Sequence, residues 1–416
     1  MHTLTPAQRI TLLCLSLTAS TLQAAIQCDC PPASFGSSLF NLSFCVEGEV
    51  ANISGNSIND IMTQIDESPL SSRFPNYGSG TSVVVYQLDM RGLLATLGYN
   101  YGSTELIFYV PSLDMTKTFD GGTRDASNQL FRDYLNESKA GIMREIMRNS
   151  PVDPVAGNPA SLQSQMLASD FDAGTSPAYD SLPPGRSLNL GANISTYSLG
   201  KYTQTLFTLP ISYSYTFANY DRLIVQAPIS YTEVDGVTTY RGNFGLAYRK
   251  NIYSRWSITP AIGYGVTGSS GLGSSGQLLS ASLTSDLMLY HDSRFRLSMG
   301  NMIGYYSTMS LNLGDGSSDY DLKNTVTRNG LLLSIPMQKR FWNREFSIDI
   351  FAIDTSFAGD PLYSDSYQEY GITFGPARSA DKMEPNQSSH PFGFGLKYVT
   401  GDGDIEGVEL TFGYRF

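Results

Sequence analysis

Histidine and tryptophan are almost missing from this chain, with three and two respectively in 416 residues. That leaves little material for a histidine metal cluster or an aromatic cage. Charge is thin too: Lys, Arg, Asp and Glu make up 16% of the residues, and the net charge is -11. No run of five basic residues occurs, which excludes the clustered Lys and Arg of a nucleic-acid surface. Cysteine is confined to four positions, and the spacing Cys28-Asp29-Cys30 is too sparse for a zinc site, so neither metal nor cofactor is expected. Beyond the N-terminus no stretch approaches the roughly 18 consecutive apolar residues of a transmembrane helix. A membrane is not thereby excluded, because strands of about 9 to 11 residues cross one with a two-residue period that hydropathy averages miss.

What is plentiful points to β structure. Gly (39), Tyr (26) and Phe (21) favour a turn-rich sheet protein over a helical bundle. The first residues, with Arg9, an apolar run from Ile10 to Leu17 and small residues at Ala24 and Ala25, have the order of a secretory signal peptide covering 1–25. Cys14 would leave with it. The exported chain keeps Cys28, Cys30 and Cys45, so in an oxidising compartment Cys45 pairs with Cys28 or Cys30 and leaves one thiol over.

Composition changes near residue 185, after the Asp-, Ser- and Pro-rich stretch DFDAGTSPAYDSLPPGR. Residues 26–180 predict a small α+β domain. It has strands at Ser82–Leu88, Gly92–Leu97 and Thr104–Val110, and a helix with an apolar stripe over Ser127–Arg148. A second helix is expected to start on Asn158-Pro159 and run through Phe171, followed by a linker to about 186.

Residues 187–416 read differently. Phe207, Leu209, Ile211, Tyr213, Tyr215 and Phe217 alternate with polar or small residues, and the same period of two returns in segment after segment. Twelve such runs can be counted. The connection 378–390 is long where a short turn is needed, so ten or fourteen remain open. The last run, VELTFGYRF, sets Val408, Leu410, Phe412, Tyr414 and Phe416 on one face and Glu409, Thr411, Gly413 and Arg415 on the other. Runs past ten residues, aromatics near strand ends and one set of short connections match a lipid-facing barrel better than a soluble sandwich, whose strands average about 5 to 6 residues. In hydrocarbon an unpaired strand edge costs several kcal/mol per polar group, so the last strand must pair with the first, near SLNLGANIS.

The alternating aromatic ending behind a signal peptide resembles the C-terminal signature of Gram-negative outer-membrane β-barrel proteins. Twelve strands after a helix resemble the translocator barrel of autotransporters, particularly solitary barrels without a large passenger. The resemblance implies the outer membrane, contact with its lipid and lipopolysaccharide, escort by periplasmic chaperones and insertion by the barrel assembly machinery. It implies a translocator rather than an enzyme, with a narrow polar lumen plugged or occupied by the preceding helix. The N-terminal domain is then surface-exposed if that helix threads the lumen, and periplasmic if it does not.

Two other functions are weighed on residues. Parity aims Arg249, Asp286, Arg296, Asp349 and Lys397 into the lumen, where charges either pair across the barrel or tune a small channel. His291-Asp292-Ser293 resembles the His-x-Ser spacing of one group of lipid A deacylases. Its place in a short periplasmic turn, away from lipopolysaccharide in the outer leaflet, favours a plain polar turn over a lipid-modifying hydrolase.

Overall fold

The computed structural model describes residues 30–413 apart from 37, 56–57, 138–147, 177–182, 270–271, 273, 310, 314–315, 319–320, 342–343 and 378–392. The expected signal peptide, Cys28, Tyr414, Phe416 and His390 lie outside the described residues. The chain divides into two compact units, Met1–Ser138 and Lys139–Phe416.

In the first unit, six strands form one antiparallel sheet in the order β2-β1-β3-β4-β5-β6. They are β1 (Phe40–Val46), β2 (Glu49–Gly55), β3 (Val84–Met90), β4 (Leu93–Tyr99), β5 (Glu105–Val110) and β6 (Met115–Asp120). The two-residue turns Glu47-Gly48 and Arg91-Gly92 take positive φ at both positions, the geometry that suits a right-twisted hairpin. Helix α1 (Ile58–Met62) packs on β1 and β2, and α3 (Arg124–Glu137) packs on β5 and β6, with α2 (Glu67–Arg73) between them in the chain. Phe44 meets Tyr86 edge-on at 5.7 Å, and Phe108 meets Phe131 at 5.0 Å, within a core that is otherwise mostly Leu, Val and Ile. A disulfide joins Cys45 to Cys30, which settles the choice left between Cys28 and Cys30. The sequence reading expects three strands here and the sheet has six. Of the missed strands, β2 and β6 are polar and mostly exposed, with no apolar alternation to announce them.

The second unit is a closed antiparallel barrel, and among the described residues the helix Leu162–Thr175 precedes it. Fifteen segments make twelve strands, because three strands are each split in two. These are β7 (Gly185–Leu190 and Ala192–Leu199), β8 (Tyr202–Leu209 and Ile211–Thr216) and β9 (Arg222–Gln226 and Ile229–Val234). The splits fall at Gly191, Pro210 and Ala227-Pro228, and a proline has no N–H for the ladder. Unbroken strands follow: β10 (Val237–Tyr253), β11 (Trp256–Ser269), β12 (Ser274–His291), β13 (Arg296–Met309), β14 (Lys323–Phe341), β15 (Arg344–Gly359), β16 (Ser366–Pro376), β17 (Phe394–Gly401) and β18 (Ile405–Phe412). Each pairs with the next, and the ring closes where β18 pairs with β7, from Ile405 opposite Leu199 to Phe412 opposite Ala192.

The twelve expected runs and the twelve observed strands agree closely, and the connection 378–390 lies outside the described residues. One refinement concerns the rims. The rim with the long connections also carries tight hairpins at Gly200-Lys201, Asp235-Gly236 and Asp402-Gly403-Asp404.

Side chains sort by the strand period. Ile194, Tyr213, Leu246, Ile262, Leu283, Ile303, Leu331, Ile350, Ile372, Leu396 and Leu410 point outward and are large and exposed. Their inward neighbours Ser195, Ser214, Thr259, Thr284, Ser334, Asp349 and Thr373 are polar and buried. No helix among the described residues is long and apolar enough to cross a membrane, and the strands supply the apolar belt instead. A closed ring with a continuous apolar exterior is the strand solution to spanning lipid, since no backbone edge is left unpaired.

Candidate functional site in the barrel lumen

The lumen is lined from the wall and from the chain that precedes it. Helix α4 (Leu162–Thr175) starts on Ser161, whose Oγ accepts from the backbone N–H of Ser164 at 3.3 Å. The expected cap at Asn158 is therefore corrected by three residues. Asn158 instead donates through Nδ2 to the carbonyl of Asp153, while Asp153 Oδ1 accepts from the N–H groups of Val155 and Ala156. Pro159 cannot donate, and the helix starts only where a hydroxyl can satisfy its first turn.

Helix α4 packs chiefly against β10, β11, β12 and β13. Glycines on that wall permit the approach. A Cβ at Gly265 would fall 2.6 Å from Met166 Sδ and 2.8 Å from Leu162 Cδ1, and one at Gly300 would fall 2.6 Å from Thr175 Cγ2 and 2.9 Å from Phe171 Cζ. On the helix, a Cβ at Gly174 would fall 2.4 Å from Thr284 Cγ2. Leu162, Met166, Leu167 and Phe171 join Leu278, Met302, Tyr306, Leu332, Phe351 and Ile353 in one buried cluster. These inward apolar residues go unnoticed in a scan for alternation, yet Leu332 in the run Leu331-Leu332-Leu333 breaks the polar side of its strand and signals a dry contact. Within the cluster, Asp170 Oδ2 accepts from Tyr306 Oη at 2.8 Å and from Ser280 Oγ at 3.2 Å.

Each charge expected in the lumen has a definite place. Arg249 Nη2 lies 3.0 Å from Asp286 Oδ2, both residues fully buried, and Arg249 Nη1 donates to the Ser176 carbonyl at the end of α4. Asp349 Oδ1 accepts from Ser334 Oγ and from Ser347 Oγ, the latter at 3.1 Å. Arg296 Nε donates to Ser298 Oγ at 3.1 Å. Lys397 Nζ sits between Glu369 at 2.7 Å and Glu409 at 3.2 Å, and Arg328 contacts the other oxygen of Glu369. Of these partners, Glu409 already stood on the polar face of the last run, whereas Glu369 and Arg328 were not singled out from the sequence. Parity marks them as inward, but which charges meet depends on register across β14 to β18.

The two ends of the segment before β7 are held at opposite rims. At the long-loop rim, Arg148 Nη2 donates to the Asp321 carbonyl at 2.6 Å and Nη1 lies 3.9 Å from Asp360. Leu322 and Leu362 from the same loops pack with Val155 and Ala156. Tyr363 donates to the Gly403 carbonyl at 2.6 Å, and a Cβ at Gly157 would fall 3.1 Å from the Tyr363 amide. At the other rim, α4 ends beside Arg249, four residues before β10 finishes. Nearly every described residue from Arg148 to Ser176 is buried.

The turn after β12 is stapled rather than catalytic in geometry. Asp292 Oδ1 accepts from the N–H groups of Arg294 and Phe295, and those bonds hold its carboxyl below the usual range. Among the described residues no hydrogen bond joins His291 to Ser293, and His291 Nδ1 is buried without a partner. Aromatic pairs ring this rim: Tyr253 stacks on Trp256, Tyr290 on Phe295 and Phe346 on Phe374. Such rings sit well between headgroups and hydrocarbon. On the closing strand, Val408, Leu410 and Phe412 face outward and are each nearly half exposed.

No protein-family profile and no curated protein matches the chain. Solved structures do resemble its barrel. The β domain of the Bordetella autotransporter BrkA shares 13% identity with a TM-score of 0.40, covering 56% of this chain and all of that one. The translocator domain of autotransporter NalP from Neisseria meningitidis shares 11% at a TM-score of 0.42, covering 61% and 95%. The transport unit of autotransporter AIDA-I from Escherichia coli shares 10% at 0.34, covering 56% and 91%. Likeness at this level assigns no activity to the chain.

Proposed function

We propose that this chain is a Gram-negative outer-membrane barrel of translocator type, closed by its own segment 148–176 and carrying the residues before that segment to the cell surface. The observation that supports it most is the course of the segment. It is tied to Asp321 at the long-loop rim, runs as α4 along the inner wall, and ends beside Arg249 before β7 begins. Short turns face the periplasm in barrels of this kind, so a chain entering from β7 and leaving at Arg148 emerges outside. The barrel assembly machinery, lipid and lipopolysaccharide are the partners this reading requires. The reading is non-enzymatic: α4 packs by dry contacts and hydrogen bonds, and the His291 turn presents no nucleophile with a base in reach.

Protease added to intact cells is expected to remove an epitope placed within residues 30–138 while leaving the barrel whole. Complete protection, with cleavage only after the outer membrane is permeabilised, would reject export.

A further inference from the structure

One buried guanidinium organises an end of the six-stranded sheet in the first unit. Arg124, 2% exposed, donates through Nη2 to the carbonyls of Ser82 and Asn100 at 2.7 and 3.2 Å, and through Nε to the carbonyl of Ser103 at 3.1 Å. Its Cζ lies 4.7 Å from the centre of the Tyr99 ring. Three loops meet around it: 78–82 before β3, 100–104 between β4 and β5, and 120–123 where β6 gives way to α3. The Gly102 N–H donates to the Thr81 carbonyl at 3.1 Å and Thr104 Oγ1 donates to Asp120 Oδ1 at 2.8 Å, so the three are contiguous and fixed. Loops positioned by a rigid scaffold are where binding residues concentrate.

What these loops present is one aromatic ring among small polar groups. Tyr101 is 76% exposed, the highest value among the large hydrophobic side chains described. The other residues of the three loops are Gly, Ser, Thr and Asn, with a single charge at Asp120. Gly80, Gly102 and Gly122 take positive φ, and a Cβ at any of them would meet nothing within 4 Å, so the backbone there is open to close approach. Asp120 Oδ1 accepts from Thr104 and from the Gly122 N–H, and Oδ2 is without a partner among the described residues.

A protein partner needs several large anchors over about 800 Å² of each surface, and a lone ring offers one. An anionic ligand would meet a carboxylate and no cation exposed on these loops. A pyranose suits both facts, because its C–H face lies flat on an aromatic ring while its hydroxyls donate to a carboxylate and exchange hydrogen bonds with hydroxyls and backbone amides. We propose that this end of the first unit binds a neutral saccharide, stacked on Tyr101 and held through its hydroxyls by Asp120. Access to glycans outside the cell rests on the export reading, whereas binding is measured on purified protein, so a failure of export and a failure of the site are told apart.

Full-length protein refolded in lauryldimethylamine oxide, a detergent without a sugar headgroup, is mixed with the methyl glycosides of glucose, galactose, mannose and N-acetylglucosamine. Saturation-transfer NMR should show transfer from the protein to at least one of them, concentrated on the ring protons of one sugar face. Tyr101→Ala should abolish the transfer, Tyr101→Trp should retain it, and Asp120→Asn should weaken it several-fold. Tyr101 is exposed, so its variants should keep the wild-type unfolding midpoint. No transfer to any of the glycosides, or transfer as strong in Tyr101→Ala, overturns the site and leaves Tyr101 to a protein partner or to solvent.

Discussion

Tyr306 Oη donates to Asp170 Oδ2 over 2.8 Å, and that bond joins a strand of the barrel wall to the helix inside it. Both residues are buried, so neither partner regains water if the other is removed. Tyr306→Phe and Asp170→Asn are each expected to cost about 1 to 3 kcal/mol, and the double variant less than their sum. Urea titration of the refolded barrel, followed by its heat-dependent gel mobility, measures this coupling. Additive losses would mean that the two residues act separately.

Bulk introduced at the small residues should move the helix without unmaking the wall. Gly300→Val would drive its side chain into Phe171 and Thr175. Overpacking of this kind typically costs about 1 to 3 kcal/mol, which a helix can relieve by leaving while a closed ring of strands cannot. The expected outcome is normal membrane yield with raised conductance in planar bilayers. Unchanged conductance would show that the lumen accommodates the extra volume with the helix in place.

Adjacent positions on the closing strand should behave oppositely. Leu410 faces outward and is 45% exposed, whereas Glu409 faces the lumen, accepts from Ser195 and pairs with Lys397. A lipid-facing charge costs about 2 to 4 kcal/mol near the membrane midplane and less toward a rim. Leu410→Arg is therefore expected to lower outer-membrane yield and leave protein in the periplasm. Glu409→Gln should insert normally, because it leaves the lipid face untouched. Fractionation of cells compares the two, and equal yields would contradict the assigned parity.

The turn Ala218–Asp221 gives a pH dependence. Burial works to raise the Asp221 carboxyl, but the ammonium of Lys250 at 2.7 Å, the Asn251 N–H and the Tyr248 hydroxyl outweigh it and hold the carboxyl below its usual value. A lowered folded value means stability that is complete above the ordinary carboxylate range and is lost as pH falls below it. Wild-type protein should therefore lose unfolding resistance on acidification from pH 5 toward pH 3 by more than Asp221→Asn does. Equal slopes for the two proteins would remove Asp221 from the balance.

How much of this was legible depends on which solvent each face meets. Lipid tolerates only the strict period of two, so the twelve strands stand out in the sequence, down to Val408, Leu410 and Phe412. The lumen imposes no such rule. Inward Tyr306 and Phe351 are invisible to an alternation count because their partner, α4, comes from elsewhere in the chain. In the first unit β3, β4 and β5 were read, whereas β1 was missed even though Phe40, Leu42, Phe44 and Val46 alternate with Asn41, Ser43 and Cys45. The edge strands β2 and β6 leave no such trace, because exposed positions accept almost any polar residue. The cap of α4 was misplaced because Asn158 and Ser161 are both good caps, and only the folded chain shows Asn158 Oδ1 accepting from the Ala160 N–H in a turn ahead of the helix.

The ring of paired strands has no side entrance, and that bears on the order of events during assembly. Residues from Arg148 to Ser176 are interior to the wall that encloses them, and their apolar side chains belong to the same cluster as those of β12 to β15. The segment can therefore reach its place only through an open end of the ring or before the seam between Ser195 and Glu409 closes. The barrel is less a pipe awaiting contents than a hoop drawn tight on its own leading thread.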